Sequence, residues 1–196
     1  FKMSANLIEI GAQATVIHMN ATGGTDLTST VIFDNFENED QDLAGIDVVK
    51  SLESEDTAVL KFRSTGALSA DNTTTLGGAV GGAGAAAIDT ITFGDVDGKA
   101  TLVEFTGTAF QGAAMTLGNG GLTADIVKVT FDIGTTADLA VVGTIDGSAT
   151  DTTILAIDGD DGNKTTFDSD IGATTALSSI TIGSEDNVDT TTIFEG

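Results

Sequence analysis

Apolar and polar residues alternate in steps of two along much of the second half of the chain. Segments 90–93, 129–133 and 180–182 place Thr or Asp at every second position, between Ile, Val or Phe. This period is typical of a β-strand with one buried face and Thr on the other. Segments 139–142 and 154–157 are more continuously apolar, as in strands that are covered on both sides.

Turn signals separate these segments throughout the chain. Asp-Gly and Gly-Asn pairs recur between apolar runs that return about every 10–15 residues, and no convincing helical pattern lies between them. In the first third, strand-like runs occupy 14–18, 29–33, 45–49 and 57–62. Only 43–60 is ambiguous: its later half favours a strand, while its earlier half also fits helical spacing and stays open.

The last third of the chain repeats itself. Segments 128–132, 133–137 and 151–154 return as 164–168, 171–175 and 189–193, so the offset grows from 36 to 38 residues. A period of this size predicts a stacked architecture in which each unit buries its apolar face against the next. We therefore predict an all-β fold, a strand-repeat array, with a β-solenoid (parallel β-helix) favoured over a β-sandwich, which gives the same strand spacing.

Composition divides the chain into three zones. Residues 1–66 form an N-terminal β-rich segment, residues 67–88 a Gly/Ala-rich loop or linker, and residues 89–196 the strand-repeat region. A packed stack of small-residue turns is the alternative for the middle zone. The chain starts without Met and stops inside a repeat, so we expect it to be part of a longer polypeptide.

The formal charge of -23, from 30 acidic and 7 basic residues, decides which partners are expected. Such a chain repels nucleic-acid phosphates and anionic membrane surfaces, and attracts cations. No run approaches the roughly 18–20 apolar residues of a membrane span, so no membrane insertion is expected. A hydrophobic fraction of 40% nevertheless predicts a folded core, and the absence of Cys excludes disulfides and thiolate metal sites.

Closely spaced acidic residues on Gly-containing turns make calcium the expected cation. Segment 157–163 brings together Asp158, Asp160, Asp161 and Asn163, and the shorter segment 94–98 contains Asp95 and Asp97. Carboxylate and amide oxygens are the ligands that Ca²⁺ prefers. An EF-hand is excluded because its first ligand position would be a Phe, and a solvated Asp-Gly turn stays the alternative.

No constellation of residues predicts a reaction, so we expect no enzyme. His18 is the single histidine, and no nucleophile-elbow motif accompanies it. The Gly-rich segment 77–84 lacks the Lys-Ser/Thr of a phosphate-binding loop. The absence of Trp and Tyr removes the side chains that usually stack on sugars in a carbohydrate-active site.

Segment 167–182, FDSDIGATTALSSITI, resembles the strand repeats of bacterial surface-layer and autotransporter-passenger (haemagglutinin-like) proteins. The resemblance is clear over 128–196. It implies an exported, non-catalytic protein of the cell surface or extracellular space, with a β-helical or β-sandwich fold that is often calcium-dependent.

The resemblance, the repeat and the acidity together predict a subunit of a self-assembling surface layer, sheath or filament, bridged by calcium. Its main partner is then a further copy of itself. The alternative is an adhesin passenger, or a virion fibre or capsid-decoration protein, with host or cell-surface glycans as further partners.

Overall fold

The structure is a computed structural model that describes residues 2–4, 15–19, 28–35, 40–43, 45–50, 57–65, 73–82, 87–133, 137–159, 163–183 and 190–195. These residues contain β-strands and no helix. The strands are β1 (Lys2–Ser4), β2 (Thr15–Met19), β3 (Thr28–Asn35), β4 (Gln41–Leu43), β5 (Ile46–Lys50), β6 (Thr57–Ser64), β7 (Thr73–Leu76), β8 (Ile88–Phe93), β9 (Thr101–Phe105), β10 (Ala109–Leu117), β11 (Ile126–Ile133), β12 (Leu139–Asp146), β13 (Thr152–Gly159), β14 (Lys164–Asp168), β15 (Ser179–Ile182) and β16 (Thr191–Phe194).

All the strand pairs are parallel, and each strand pairs with strands one coil before or after it in the chain. The order β4-β7-β9-β11-β13-β15 forms one sheet, and β1-β3-β6-β8-β10-β12-β14-β16 forms another. Sequence neighbours therefore lie in different sheets, as a solenoid requires. The prediction of an all-β solenoid in preference to a sandwich is confirmed.

The larger sheet bends, so that the coils have three faces. The second half of β10 pairs with β8, whereas only the first half of β12 pairs with β14. Val80 bridges β5 to the first half of β10. Face 1 therefore holds β1, β3, β6, β8 and the second halves of β10 and β12. Face 2 holds the six-stranded sheet of β4, β7, β9, β11, β13 and β15. Face 3 holds β2, β5, β14, β16 and the first halves of β10 and β12. The chain visits faces 3, 1 and 2 in turn.

One coil is shorter than the sequence repeat. Thr28 pairs with Thr57, a step of 29 residues, and Lys128 pairs with Ile154, a step of 26. Lys128 lies in β11 on face 2, but its sequence copy Lys164 lies in β14 on face 3. The offset of 36–38 residues is therefore not the coil. The two copies look alike although they lie on different faces, because each buries a Phe, Phe131 or Phe167, beside a less buried Thr.

Three columns of apolar side chains fill the interior, one behind each face. Face 1 contributes Val31, Leu60, Ile91, Met115, Ile145 and Ile171; face 2 contributes Leu43, Leu76, Phe105, Phe131, Ile157 and Ile182; face 3 contributes Ile17, Val48, Val80, Phe110, Val141, Phe167 and Phe194. Aromatic rings also stack between coils, with centroids 5.3 Å apart for Phe33 and Phe62 and 5.2 Å for Phe62 and Phe93. Offset stacking at this distance adds to the gain from burial.

Two segments that the sequence left uncertain belong to the packed coils. Ile46–Lys50 is a strand that pairs with β2, so this part of the ambiguous segment is not helical. Within 67–88, predicted as a loop or linker, β7 pairs with β4 and β9, and Val80 is fully buried. The described part of the Gly/Ala-rich segment is thus packed, because its small residues let neighbouring coils approach closely.

Candidate functional site

Acidic side chains tie neighbouring coils together at the corners between faces. Asp125 and Asp151 precede β11 and β13 at equivalent positions, one coil apart. The backbone N–H of Gly98 donates to Asp125 Oδ2 at 2.8 Å, and that of Asn119 donates to Asp151 Oδ2 at 2.9 Å. Each carboxylate therefore accepts hydrogen bonds from the coil before it, where the chain turns and strand pairing ends.

The same device recurs around the solenoid. Carboxylates elsewhere accept from backbone N–H groups one coil away, in the pairs Asp40 with Thr73, Asp47 with Ala79, Asp97 with Thr123, Asp138 with Lys164, and Asp146 with Thr174 and Thr175. Much of the Asp content is therefore structural. The sequence carried a signal for this use, since Asp125 and Asp151 stand directly before strands, but it was not recognised.

Two carboxylates that accept backbone N–H groups from another coil, Asp151 and Asp89, have lowered pKa values. Burial by itself raises the pKa of Asp151, but the Ser148 hydroxyl and the N–H groups of Gly120, Asp125 and Asn119 outweigh it, so the pKa lies below 3.8. Burial is likewise outweighed at Asp89, where the Ala58 N–H and the Lys50 ammonium lower the pKa. Both groups are therefore held in the ionised form that the hydrogen bonds require.

The two predicted ligands of segment 94–98 are engaged by the protein itself. Asp95 Oδ2 pairs with Lys61 Nζ at 2.9 Å, and Arg63 Nη2 pairs with Asp34 Oδ2 at 2.9 Å on the adjacent coil. Arg63 Nη1 lies 4.0 Å from Asp95 Oδ1, which is buried and has no hydrogen-bond partner among the described residues. Asp97 turns away to accept from Thr123. The two carboxylates therefore serve different contacts.

The second predicted calcium segment is only partly described. Asp158 lies at the end of β13, where it accepts from the Gly159 N–H at 3.1 Å and pairs in register with Asp132. Asn163 follows on the next turn, while Asp160 and Asp161 lie outside the described residues. No three His, Asp or Glu side chains of the described ranges are grouped closely enough to hold a metal ion. Calcium binding stays a prediction.

Glu104 stands out on the solvent side of face 2. Partial burial raises its pKa, and the negative charge of Asp132 adds to the effect, while Lys128 acts in the opposite direction. Burial is the largest cause of the raised pKa, and the acidic groups crowded on the same face add to it. His18, the single candidate for acid–base chemistry, is exposed on β2 and pairs in register with Val49.

The last described coil of the solenoid leaves core side chains partly exposed. β15 pairs only with β13, and β16 only with β14, among the described residues. Their inward side chains are Ile180, Ile182 and Phe194, with 45%, 46% and 48% of their surface exposed. The residues one coil earlier in the same columns, Leu155, Ile157 and Phe167, are fully buried. The core columns thus reach solvent at this end.

A cleft marks the same end. It has a volume of about 380 Å³ and is lined by Ser169, Asp170, Ile171, Ile180 and Phe194. Phe194 stacks on Phe167 with centroids 5.4 Å apart and also lines the cleft. Apolar side chains with a polar rim of Ser169 and Asp170 are a surface for another protein segment more than for a small polar ligand.

The other end of the solenoid is more closed. Val31, Phe33 and Leu43, on the early strands β3 and β4, are all buried. On face 3, however, β2 pairs only with β5 among the described residues, and Val16 is 42% exposed. Within the described residues, the early strands are thus less exposed than the last coil, and β2 and β16 each pair on one side only.

The described residues contain no helix that is long and apolar enough to cross a membrane. No protein-family model, curated protein sequence or solved structure matches this chain.

Proposed function

We propose that the protein is a non-catalytic structural subunit that self-assembles as part of an extracellular surface layer, sheath or filament. The observation that carries this proposal is the last described coil of the solenoid, where Ile180, Ile182 and Phe194 are half exposed although their partners one coil earlier are fully buried. Such apolar side chains gain free energy when another protein layer covers them.

The terminal strands are suited to pairing. β15 reads Ser-Ile-Thr-Ile and β16 reads Thr-Thr-Ile-Phe, without charge or Pro. Natural edge strands usually carry such residues to prevent association, because their free N–H and C=O groups can pair with another chain. Covering the half-exposed apolar side chains adds roughly 1 kcal/mol for each. Edge pairing and apolar burial therefore act together.

The net negative charge of each copy opposes association, and dissolved cations reduce this repulsion. Copies with a formal charge of -23 repel each other, and this repulsion weakens as dissolved ions screen it. Calcium held between Asp turns of neighbouring copies is the specific form of this proposal that the sequence suggests. Screening by any salt is the general form.

The proposal is tested by analytical ultracentrifugation and electron microscopy of the purified chain. Samples at low salt, at about 1 M sodium chloride, where the screening length is roughly 3 Å, and at low salt with calcium or with a chelator are compared. We expect an open series of oligomers that lengthens with protein concentration and salt. Monomers under all four conditions contradict the proposal, and equal assembly with calcium and chelator removes only the role of calcium.

The same experiment separates the alternative function. A virion fibre or decoration protein requires a closed oligomer such as a trimer, whose size does not grow with concentration. An adhesin passenger stays monomeric and binds glycans. Because nothing on the described surface favours either, they stay alternatives.

A further inference from the structure

We propose that Asn119 is a site of spontaneous deamidation, and that contact with the next coil holds the reaction back. Asn119 and Gly120 form the only Asn-Gly pair of the sequence, and Asn is among the thermolabile residues of proteins. The pair lies at the corner between β10 and β11, with described coils on both sides. This inference goes beyond the proposed function and does not depend on it.

The reaction uses the backbone nitrogen that follows the asparagine. Gly120 N loses its proton to hydroxide and attacks Cγ of Asn119, which closes a succinimide ring. The Cγ–Nδ2 bond breaks, and the leaving nitrogen takes a proton from water and departs as ammonia. A water molecule then opens the ring at either carbonyl and leaves aspartate or isoaspartate in the chain. Because Gly has no Cβ, no side chain hinders the attacking nitrogen.

The next coil holds this nitrogen in place. The Gly120 N–H donates to Ser148 Oγ at 3.1 Å and to Asp151 Oδ2 at 3.2 Å, and the Asn119 N–H donates to the same carboxylate oxygen at 2.9 Å. Since its hydrogen bonds outweigh burial and lower the pKa of Asp151, this carboxylate is ionised at neutral pH. A negative acceptor opposes the loss of the Gly120 proton, which is the first step of the reaction.

The asparagine side chain is restrained as well, although water reaches it. Asn119 is exposed, and its Oδ1 accepts from the Gly121 N–H, so the amide is held in one orientation. The reactive pair is thus accessible to solvent but fixed by hydrogen bonds on both sides of the attacking nitrogen. The rate of deamidation then depends on how often this corner opens.

Two further glycines that follow an acidic residue have the same restraint. The Gly98 N–H donates to Asp125 Oδ2 at 2.8 Å, and the Gly147 N–H donates to the Thr175 carbonyl oxygen at 2.8 Å. Both acceptors belong to the next coil. Asp-Gly pairs form the same succinimide ring with loss of water, so coil-to-coil hydrogen bonds restrain the attacking nitrogen at three corners of the solenoid.

Deamidation makes the opening hard to reverse. A Cβ on Gly121 would lie 2.5 Å from Asp97 Oδ1 and 2.6 Å from Asn119 Oδ1, so these two side-chain oxygens are crowded at one place. Asp151 contacts the backbone of the same residue. A carboxylate in place of the amide adds a negative charge beside two others, and isoaspartate also lengthens the backbone by one carbon atom. An opened corner is therefore recorded chemically.

Peptide mass spectrometry after incubation at neutral pH tests the proposal. Wild type in urea gives the rate of the open chain, and we expect folded wild type to deamidate at Asn119 at least about tenfold more slowly. Ser148→Ala, which keeps the carboxylate of Asp151, is expected to react roughly two- to tenfold faster than folded wild type. Asp151→Ala removes the charged acceptor and is expected to react roughly 10- to 100-fold faster.

Asp125→Ala is the matched control. Asp125 is the equivalent carboxylate one coil earlier, and it accepts from the Gly98 N–H. This variant is expected to form isoaspartate faster at Asp97 and to leave Asn119 near its wild-type rate. If both Asp variants accelerate Asn119 equally, general unfolding controls the reaction and the proposed contact does not. Equal rates in folded wild type and in urea, or no reaction in urea, also overturn the proposal.

Asn119→Asp tests the effect of the product. This substitution keeps an acceptor for the Gly121 N–H and adds only the charge, so we expect a lower melting temperature than that of wild type at neutral pH and low salt. Salt at about 1 M, where the screening length is roughly 3 Å, is expected to reduce the difference. A melting temperature equal to or above that of wild type contradicts the proposal that deamidation hinders closure of the corner.

Discussion

At the scale of single residues, many of the acidic side chains have a structural role, which the net charge alone does not show. Carboxylates such as Asp125 and Asp151 accept backbone N–H groups from the preceding coil, at corners where the strands stop pairing. An unpaired buried N–H costs about 1–3 kcal/mol, so these side chains protect the weakest parts of the coil-to-coil contact. The partly buried ion pair of Arg63 with Asp34 likewise joins two adjacent coils.

Asp151→Ala is expected to lower the free energy of unfolding by roughly 2–3 kcal/mol, because the N–H groups of Asn119, Gly120 and Asp125 lose their acceptor. Asp138→Ala is the matched control, since this exposed carboxylate accepts from one backbone N–H, that of Lys164, and makes an exposed ion pair with the Lys164 ammonium at 3.7 Å. Its expected loss is below about 1 kcal/mol. Urea denaturation of both variants measures the difference, and equal losses contradict the role of Asp151.

The effect of Asp151 also depends on pH. Folding lowers the pKa of this carboxyl from its ordinary value of 3.8, so the folded state binds fewer protons than the unfolded state in the interval below that value. Its contribution is therefore complete at neutral pH and is lost as the pH falls below 3.8 toward the lowered pKa. The difference in stability between wild type and Asp151→Ala is expected to shrink over the same interval.

At the scale of elements, the bend in the long strands decides the cross-section of the solenoid. β10 and β12 each run along face 3 and continue onto face 1, and their mutual register shifts between Gln111 and Ala114. Gly143, with a φ of +116°, lies at this bend, and a Cβ on it would collide with the Gly112 carbonyl oxygen. The corner therefore needs Gly both for its backbone conformation and for the close approach of two coils.

Gly143→Ala is expected to destabilise the fold strongly, because strain at positive φ is joined by a collision with backbone that cannot move aside. Gly98→Ala is the control, since Gly98 has a φ of +79° but open space where its Cβ would lie. It should show only the cost of the left-handed conformation, about 1–2 kcal/mol. Thermal unfolding followed by circular dichroism compares them, and similar melting temperatures contradict the packing argument.

At the scale of the whole molecule, stability is distributed along one axis. Each coil contacts its neighbouring coils, so residues in the middle have two neighbouring layers and residues of the last described coil have one within the described residues. Phe93 packs between Phe62 and Phe110, with centroid distances of 5.2 and 6.3 Å, whereas Phe194 stacks on Phe167 alone. The last coil is therefore the part of the described solenoid with the most to gain from a partner.

Phe93→Ala is expected to cost about 3–5 kcal/mol of unfolding free energy in the monomer, the usual range for a buried Phe. Phe194→Ala, in the same monomer, is expected to cost only about 1–2 kcal/mol because half of its surface is already exposed. Urea denaturation at low salt measures both. Equal costs would show that Phe194 is as enclosed as Phe93 and that the end is not open.

The sequence by itself determined the strand content and the stacked architecture, because alternation of apolar residues with Thr depends on local geometry that any strand shares. For the same reason it could not identify the coil. The copies at Lys128 and Lys164 look alike because inward Phe and outward Thr suit face 2 and face 3 equally. The sequence also could not show that Asp97 accepts from the Thr123 N–H, since a carboxylate on a turn looks the same whether it faces an ion or a backbone N–H, and its role in calcium binding stays a prediction.

Only the tertiary structure decided which residues become neighbours across coils. It placed β7 inside the segment expected to be a linker, gave Asp151 its three backbone donors, and brought Ile17 and Phe194 to opposite ends of one column. These contacts join residues about 25–30 positions apart or more, with coil lengths that vary from one coil to the next. A local sequence pattern cannot predict such pairings, because they depend on the number of residues in each corner between strands.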